Sequence, residues 1–268
     1  MNKKIGFIGC GNMGGALAIA AKNSIGGNNV YVSDADTEKA ENFAKENNVN
    51  VASVEEVATN CDYVFLGVKP QVLRSVCDDL AEYFKARNDR FVIVSMAAGV
   101  KLFDLNEMCG GKYPIIRIMP NIPASAGAGM ILYTGNKFVT DEDFNEFTVV
   151  LENAGILDKI EEAKIDAGSA ISGCGPAFVF MFIDALADGG VRCGLPRDKA
   201  LLYAAETVFG AAKMVVDTNE HPGKLKDAVC SPSGSTIEGV LSLENASFRA
   251  DIINAVSRSY ERTVELGK

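Results

Sequence analysis

Over its first 160 residues the chain alternates short apolar runs with longer stretches of helical period. Strand-like runs stand at residues 4–8, 30–32, 49–51, 63–68, 91–95, 115–118 and 156–160. Between them, residues 13–22, 37–46, 53–58, 71–84 and 141–153 read as helices. Thr37 is the expected N-cap of the second helix, and Ser53 with Glu56 three residues on forms a capping box at the third. Strands separated by single helices predict an α/β fold, a Rossmann-like doubly wound parallel sheet.

Beyond about residue 163 no convincing strand follows. Residues 176–188 are apolar on nearly every face, residues 198–217 form a long stretch rich in alanine, and residues 248–266 are amphipathic. A helix apolar all round must be buried on every side. The roughly 100 residues left form only a thin helical layer, so a second copy of the chain is the natural cover. The expected organisation is a dinucleotide-binding domain over residues 1–163 and an all-α dimerisation and substrate-binding domain over residues 164–268.

Composition narrows the partners. The 268 residues are 48% hydrophobic and 23% charged, with a net charge of −9. Basic residues are scattered, and nucleic-acid binding needs them concentrated on one face. The seven cysteines, Cys10, Cys61, Cys77, Cys109, Cys174, Cys193 and Cys230, include no C-x-x-C pair. That argues against a disulfide framework and a zinc site, so no metal is expected. No signal-peptide core follows the N-terminus, and no apolar run approaches the ~18 residues of a membrane span. The expected location is the cytoplasm, with no membrane partner.

The first chemical motif is Gly9-Cys10-Gly11-Asn12-Met13-Gly14, a G-x-G-x-x-G between a strand and a helix. Gly9 permits a tight turn, Gly11 lets backbone approach a pyrophosphate, and Gly14 lets helix and strand pack closely. The helix N-terminus adds free N–H groups and a positive dipole end. The cofactor is therefore NADH or NADPH. Asp34, 25 residues beyond Gly9, is the candidate for the ribose hydroxyls and would disfavour a 2′-phosphate. Ser33 and Thr37 are placed to bond such a phosphate, and no Arg stands between Asn23 and Arg74. Ligands of an open α/β sheet gather at the carboxyl ends of the strands. This brings in Val68, Lys69 and Pro70 after the fourth strand, Ala97 and Ala98 after the fifth, and Asn121 after the sixth. The two alanines suit a nicotinamide ring lying flat.

Two glycine-rich turns follow in the second half. Ser172-Gly173-Cys174-Gly175-Pro176 opens the apolar helix, and Ser231-Pro232-Ser233-Gly234-Ser235-Thr236 precedes another. The second offers hydroxyls and backbone N–H groups at a helix N-terminus, a cradle suited to a carboxylate, or else simple helix capping. The single histidine, His221, stands in what reads as a surface turn. A hydroxy-acid dehydrogenase of the lactate type needs a histidine–carboxylate proton relay, which this chain does not offer. Enzymes of similar architecture that act on β-hydroxy acids use a lysine on the helix after their interdomain glycines, and here none occurs between Gly175 and Lys199. A non-catalytic dinucleotide sensor would need no second polar loop.

The segments IGFIGCGNMG (residues 5–14), VKP (68–70), AAGV (97–100), RIMPNIPA (117–124), ISGCGPAF (171–178), ALADGGVRCGLP (185–196) and HPGKLKDAVCSPSGSTIE (221–238) occur in this order along the chain. Together they resemble the pyrroline-5-carboxylate reductase family. The resemblance implies NAD(P)H-dependent hydride transfer to the C=N bond of 1-pyrroline-5-carboxylate, giving L-proline, the last step of proline biosynthesis. It implies a homodimer, often built into a ring of dimers, with substrate between the cofactor domain of one subunit and helices at the dimer interface. Carried onto these residues, Ser231, Ser233, Gly234, Ser235 and Thr236 hold the substrate carboxylate, and Thr236 bonds the ring nitrogen as the catalytic residue. Two positions depart from the family pattern. The loop SPSGST stands where SPGGTT is usual, so a backbone needing positive φ at Ser233 would be strained. Ile122 stands where the family usually has threonine.

Overall fold

Eight strands form one sheet in the computed structural model, which describes residues 3–266. They are β1 (Ile5–Ile8), β2 (Val30–Ser33), β3 (Asn50–Val51), β4 (Tyr63–Leu66), β5 (Val92–Ser95), β6 (Ile115–Met119), β7 (Gly129–Gly135) and β8 (Gly155–Lys159). Their order is β3-β2-β1-β4-β5-β6-β7-β8, parallel except where β6 meets β7. The helices that connect the parallel strands are α1 (Asn12–Ile25), α2 (Thr37–Asn47), α3 (Val54–Asn60), α4 (Pro70–Ala86), α5 (Leu102–Met108) and α6 (Asp141–Leu151).

Period-two alternation sorts the strand side chains between two apolar layers. Ile5, Phe7, Tyr63 and Phe65 face a layer with Leu17, Ala21 and Phe147, from α1 and α6. Ile8, Val64 and Leu66 face the other, with Val57, Leu73, Leu80 and Phe84 from α3 and α4. The strands are buried on both faces, as the near-continuous apolar runs require.

Three expectations are corrected. The sheet is not wholly parallel: β7, flanked by glycines that resemble loop sequence, pairs antiparallel with β6. Only residues 120–128 link the two strands, fewer than the dozen or so that a parallel crossover needs. Asp36 rather than Thr37 caps α2, its carboxylate accepting the Lys39 N–H at 3.1 Å. The Ser53–Glu56 capping box forms at α3 as read from the sequence. Finally, one helical stretch, Glu162–Arg192, is long and apolar enough by length and composition to cross a membrane. Residues 167–183 carry no charge, a continuity that the interrupting glycines and serines disguise.

Contacts divide the chain into two compact units: residues up to Gly173 with those from Ser259 onward, and Cys174–Arg258. Helix α7 (Glu162–Ser172) packs on β7 in the first. The second contains α8 (Gly175–Arg192), α9 (Arg197–Thr218), α10 (Pro222–Val229), α11 (Ser235–Asn245) and the first half of α12 (Phe248–Leu266). Its tightest pairing is α8 on α9 through Ala187, Ala200 and Ala204. The larger apolar side chains are left open, with Met181 73% and Phe209 63% exposed. An apolar groove of about 550 Å³ runs among Phe178, Met181, Phe182, Leu243, Phe248 and Ile252.

Candidate active site

The glycine-rich turn is built at van der Waals limits. β1 ends at Ile8, and Gly9 turns the chain with φ of +97°, a conformation open to glycine. Its N–H donates to the Ser33 carbonyl at 2.7 Å, tying the turn to β2. A Cβ on Gly14 would stand 2.0 Å from the Gly9 carbonyl oxygen, so α1 can begin this close only with glycine there. Around Gly11 the situation is the opposite: a Cβ would meet nothing within 4 Å. Gly11 is the N-cap of α1 and supplies no side-chain bond, so the first-turn N–H groups have no side-chain cap. Crowded backbone behind and open space in front of an uncapped helix end fit a dinucleotide pyrophosphate. A cleft of about 580 Å³ opens there, lined in part by Gly9, Gly11, Asn12, Met13, Val68 and Lys69.

Asp34 also lines this cleft, but its carboxylate is engaged with the protein. It accepts the Cys10 N–H at 3.0 Å and the Asp36 N–H at 3.2 Å, and it pairs with Lys39 Nζ at 2.8 Å. Burial opposes its ionisation, but these donors outweigh burial and hold its pKa below the ordinary carboxylate value. The Cys10 amide is thereby committed to Asp34 rather than left for a phosphate. Burial and the neighbouring carboxylate push the Cys10 thiol up to about 11, so it stays protonated and unreactive at neutral pH. Ser33 is buried at the end of β2. Lys39 escaped the sequence reading. Its signal was present: a cation in the first turn of α2, five residues after Asp34.

At the other strand ends the expected residues separate. Val68 and Lys69 line the cleft, whereas Pro70 is the first residue of α4 and lies outside the lining. Ala97 turns its methyl into the core, 1% exposed, leaving Ala98 as the exposed member of the pair. The Asn121 side chain is 8% exposed and bonded within the protein: its amide donates to the Ser172 carbonyl and its oxygen accepts the Met130 N–H, both at 2.9 Å. It fastens the end of α7 beside β7. The other end of α7 is fastened by Arg117, which the sequence reading did not single out. Arg117 is 1% exposed and pairs with Glu162 at 3.2 Å and Asp166 at 2.9 Å. Glu162 also accepts the Leu102 N–H at 2.6 Å, joining α5 to the same network.

In the second unit, residues 231–234 form a turn closed by the Gly234 N–H donating to the Ser231 carbonyl at 3.0 Å. Pro232 occupies its first central position and Ser233 its second, with φ of +56°. A turn with proline then a positive φ normally takes glycine at that second place, so the strain expected at Ser233 is present. Gly234 caps α11 without a side-chain bond, and Ser235 and Thr236 occupy its exposed first turn. Ile122, at the departure from the family pattern, is 61% exposed. His221 is no simple turn residue: its Nδ1 accepts the Gly223 N–H at 3.0 Å and so caps α10.

Comparisons with known proteins identify the family. The family model for pyrroline-5-carboxylate reductase dimerisation matches residues 162–266, and that for NADP oxidoreductase, coenzyme F420-dependent, matches residues 4–99. The pyrroline-5-carboxylate reductase of Escherichia coli is 42% identical over 271 residues, covering 100% of both chains. That of Methanosarcina acetivorans is 39% identical, covering 100% of this chain and 99% of its own. The solved pyrroline carboxylate reductase of Plasmodium falciparum with NADP bound superposes with a TM-score of 0.86 at 33% identity, covering 100% of this chain and 99% of that one. The Coxiella burnetii enzyme does so with a TM-score of 0.91 at 29% identity, each chain covered completely. The chain belongs to the pyrroline-5-carboxylate reductase family.

Proposed function

We propose that this chain reduces 1-pyrroline-5-carboxylate to L-proline with a dinucleotide held at the Gly9–Gly14 turn and the substrate carboxylate held at the Ser231–Thr236 loop. The supporting observation is that α1 and α11 both begin after a glycine N-cap without a side-chain bond, at Gly11 and Gly234. Each leaves first-turn N–H groups to an anion, one to a pyrophosphate and the other to a carboxylate. The cofactor would be held by Gly9, Gly11, Asn12, Met13 and the first turn of α1, with Gly14 fixing that turn and Cys10 bracing it through Asp34. Val68, Lys69 and Ala98 surround it at the strand ends, with Pro70 starting α4 behind Lys69 and Asn121 holding the end of α7. A reduced nicotinamide supplies the hydride when bound.

The chain's own residues have little covalent work to do, because a protonated ring imine is already electrophilic. Ser231, Ser233, Gly234 and Ser235 fix the carboxylate. The Thr236 hydroxyl holds the ring nitrogen. As the C=N carbon gains hydride, the π pair passes to nitrogen, which keeps its single proton through Thr236 or water. The open apolar faces of α8 and α9 call for a second copy of the chain, giving a homodimer that assembles into a ring of dimers. Residues 167–183 are then covered by protein rather than lipid, in keeping with an enzyme of the cytoplasm. Thr236→Ala tests the assignment. Its kcat/KM for pyrroline-5-carboxylate should fall about 10–100-fold, the scale of one lost polar contact. An unchanged value removes Thr236 from the mechanism.

A further inference from the structure

The cleft at the glycine-rich turn carries a charge pair that hydride transfer itself does not require. Asp34 and Lys39 both line it, paired at 2.8 Å, with side chains 14% and 46% exposed. Asp34 cannot turn away, because the amides of Cys10 and Asp36 hold its carboxylate. Asp36 and Glu38 stand beside it at the start of α2. The end of β2 is where a dinucleotide fold meets the adenosine ribose. A 2′-phosphate arriving there carries about −1.5 to −2 charges and would meet three acidic groups. Lys39 is the counter-charge at that place. The Asp34 hydrogen bond raises its pKa, so it is cationic at neutral pH. Its flexible stem allows the ammonium to reach beyond its present partner. Lys69, which also lines the cleft, follows β4. β1 separates β4 from β2, so Lys69 starts about 10 Å from the β2 end.

We infer that Lys39 is the residue through which this chain accepts the 2′-phosphate of NADPH, and that the Asp34–Lys39 pair sets its choice between NADPH and NADH. The inference rests on the assignment of the dinucleotide to the Gly9–Gly14 turn. Asp34 favours a free ribose diol and repels a phosphate. Lys39 offsets that repulsion and shares its charge between carboxylate and phosphate. Neither residue touches the reacting carbon, so the pair acts on selectivity rather than on the chemical step.

Calorimetric titration of the full-length protein with 2′,5′-ADP and with 5′-AMP isolates the effect, since the two probes differ only in the 2′-phosphate. The ratio of their affinities in Lys39→Met should fall about tenfold or more against 2′,5′-ADP, the scale of one charge-assisted hydrogen bond. Lys39→Arg, which keeps the charge, should hold the ratio within about threefold of the wild type. A ratio unchanged in Lys39→Met, or a parallel loss for both probes, overturns the selectivity role and leaves the cofactor site standing. Absence of binding of either probe to the wild type overturns the cofactor site itself and the inference with it.

Discussion

Replacing Gly14 with alanine tests the glycine-rich turn at its tightest point. The added methyl would stand 2.0 Å from the Gly9 carbonyl oxygen, and contacts under 3.0 Å do not persist in folded proteins. Either α1 or the turn must therefore retreat by at least 1 Å, because the obstructing atom is backbone and not a mobile side chain. Overpacking of this kind costs about 1–3 kcal/mol of stability. A similar displacement stretches N–H···O bonds of about 2.9 Å to a pyrophosphate toward 4 Å, past useful length. Losing even one charge-assisted bond, about 1.5–3 kcal/mol, weakens NADPH binding by roughly ten- to 150-fold. Gly11→Ala provides the contrast. Gly11 has φ of −70° and a Cβ there meets nothing within 4 Å, so folding is untouched. The methyl nevertheless enters the space a pyrophosphate would fill. Urea denaturation and fluorescence titration with NADPH separate the two variants. Gly14→Ala should lose stability and affinity together, and Gly11→Ala affinity alone. Wild-type stability and affinity in Gly14→Ala, or full affinity in Gly11→Ala, would refute the reasoning.

Other sites give further expectations. Ser233→Gly should be neutral or stabilising by under about 1 kcal/mol, because relief of the left-handed strain is partly offset by chain entropy, whereas Ser233→Val should destabilise by about 1 kcal/mol or more. Equal melting temperatures for the two variants would contradict the observed φ. Arg117→Ala strands Glu162 and Asp166 without their buried cation and should cost about 3 kcal/mol by urea denaturation, a loss under about 1 kcal/mol speaking against the network. Asp143 is buried, which opposes its charge, but bonds from Arg90 and Thr140 prevail and hold its pKa below 3.8. A depressed folded pKa adds stability that is complete above the unfolded value and disappears as pH falls through the folded one. The stability difference between wild type and Asp143→Asn should therefore be constant above about pH 5 and shrink below about pH 4; a difference flat across that range would exclude the ionised pair.

The parts of this fold legible in the sequence were those with one dominant physical cause. β1, β4 and β5 are short apolar runs buried on both faces, and Gly9 to Gly14 has a spacing that few other turns need. β7 was hidden because its flanking glycines resemble a loop, and its direction depends on the length of the connection from β6. Side-chain commitments were the least legible. Asn121 sits where a ligand residue is expected, but its amide bonds to Ser172, 51 residues away in sequence. Arg117 gave no sign that it was buried, since its partners lie on a helix 45 and 49 residues further on. Lys39 is informative only once Asp34 is seen beside it. At Ser233 the sequence carried both the departure and its consequence, and the positive φ is there.

The central claim is tested most directly by supplying the purified protein with 1-pyrroline-5-carboxylate and NADPH, with NADH in parallel, and measuring cofactor oxidised against proline formed. One L-proline should form for each NAD(P)H consumed, and Gly14→Ala should lose turnover with both cofactors. Tight NADPH binding without proline formation by the wild-type protein would contradict that claim.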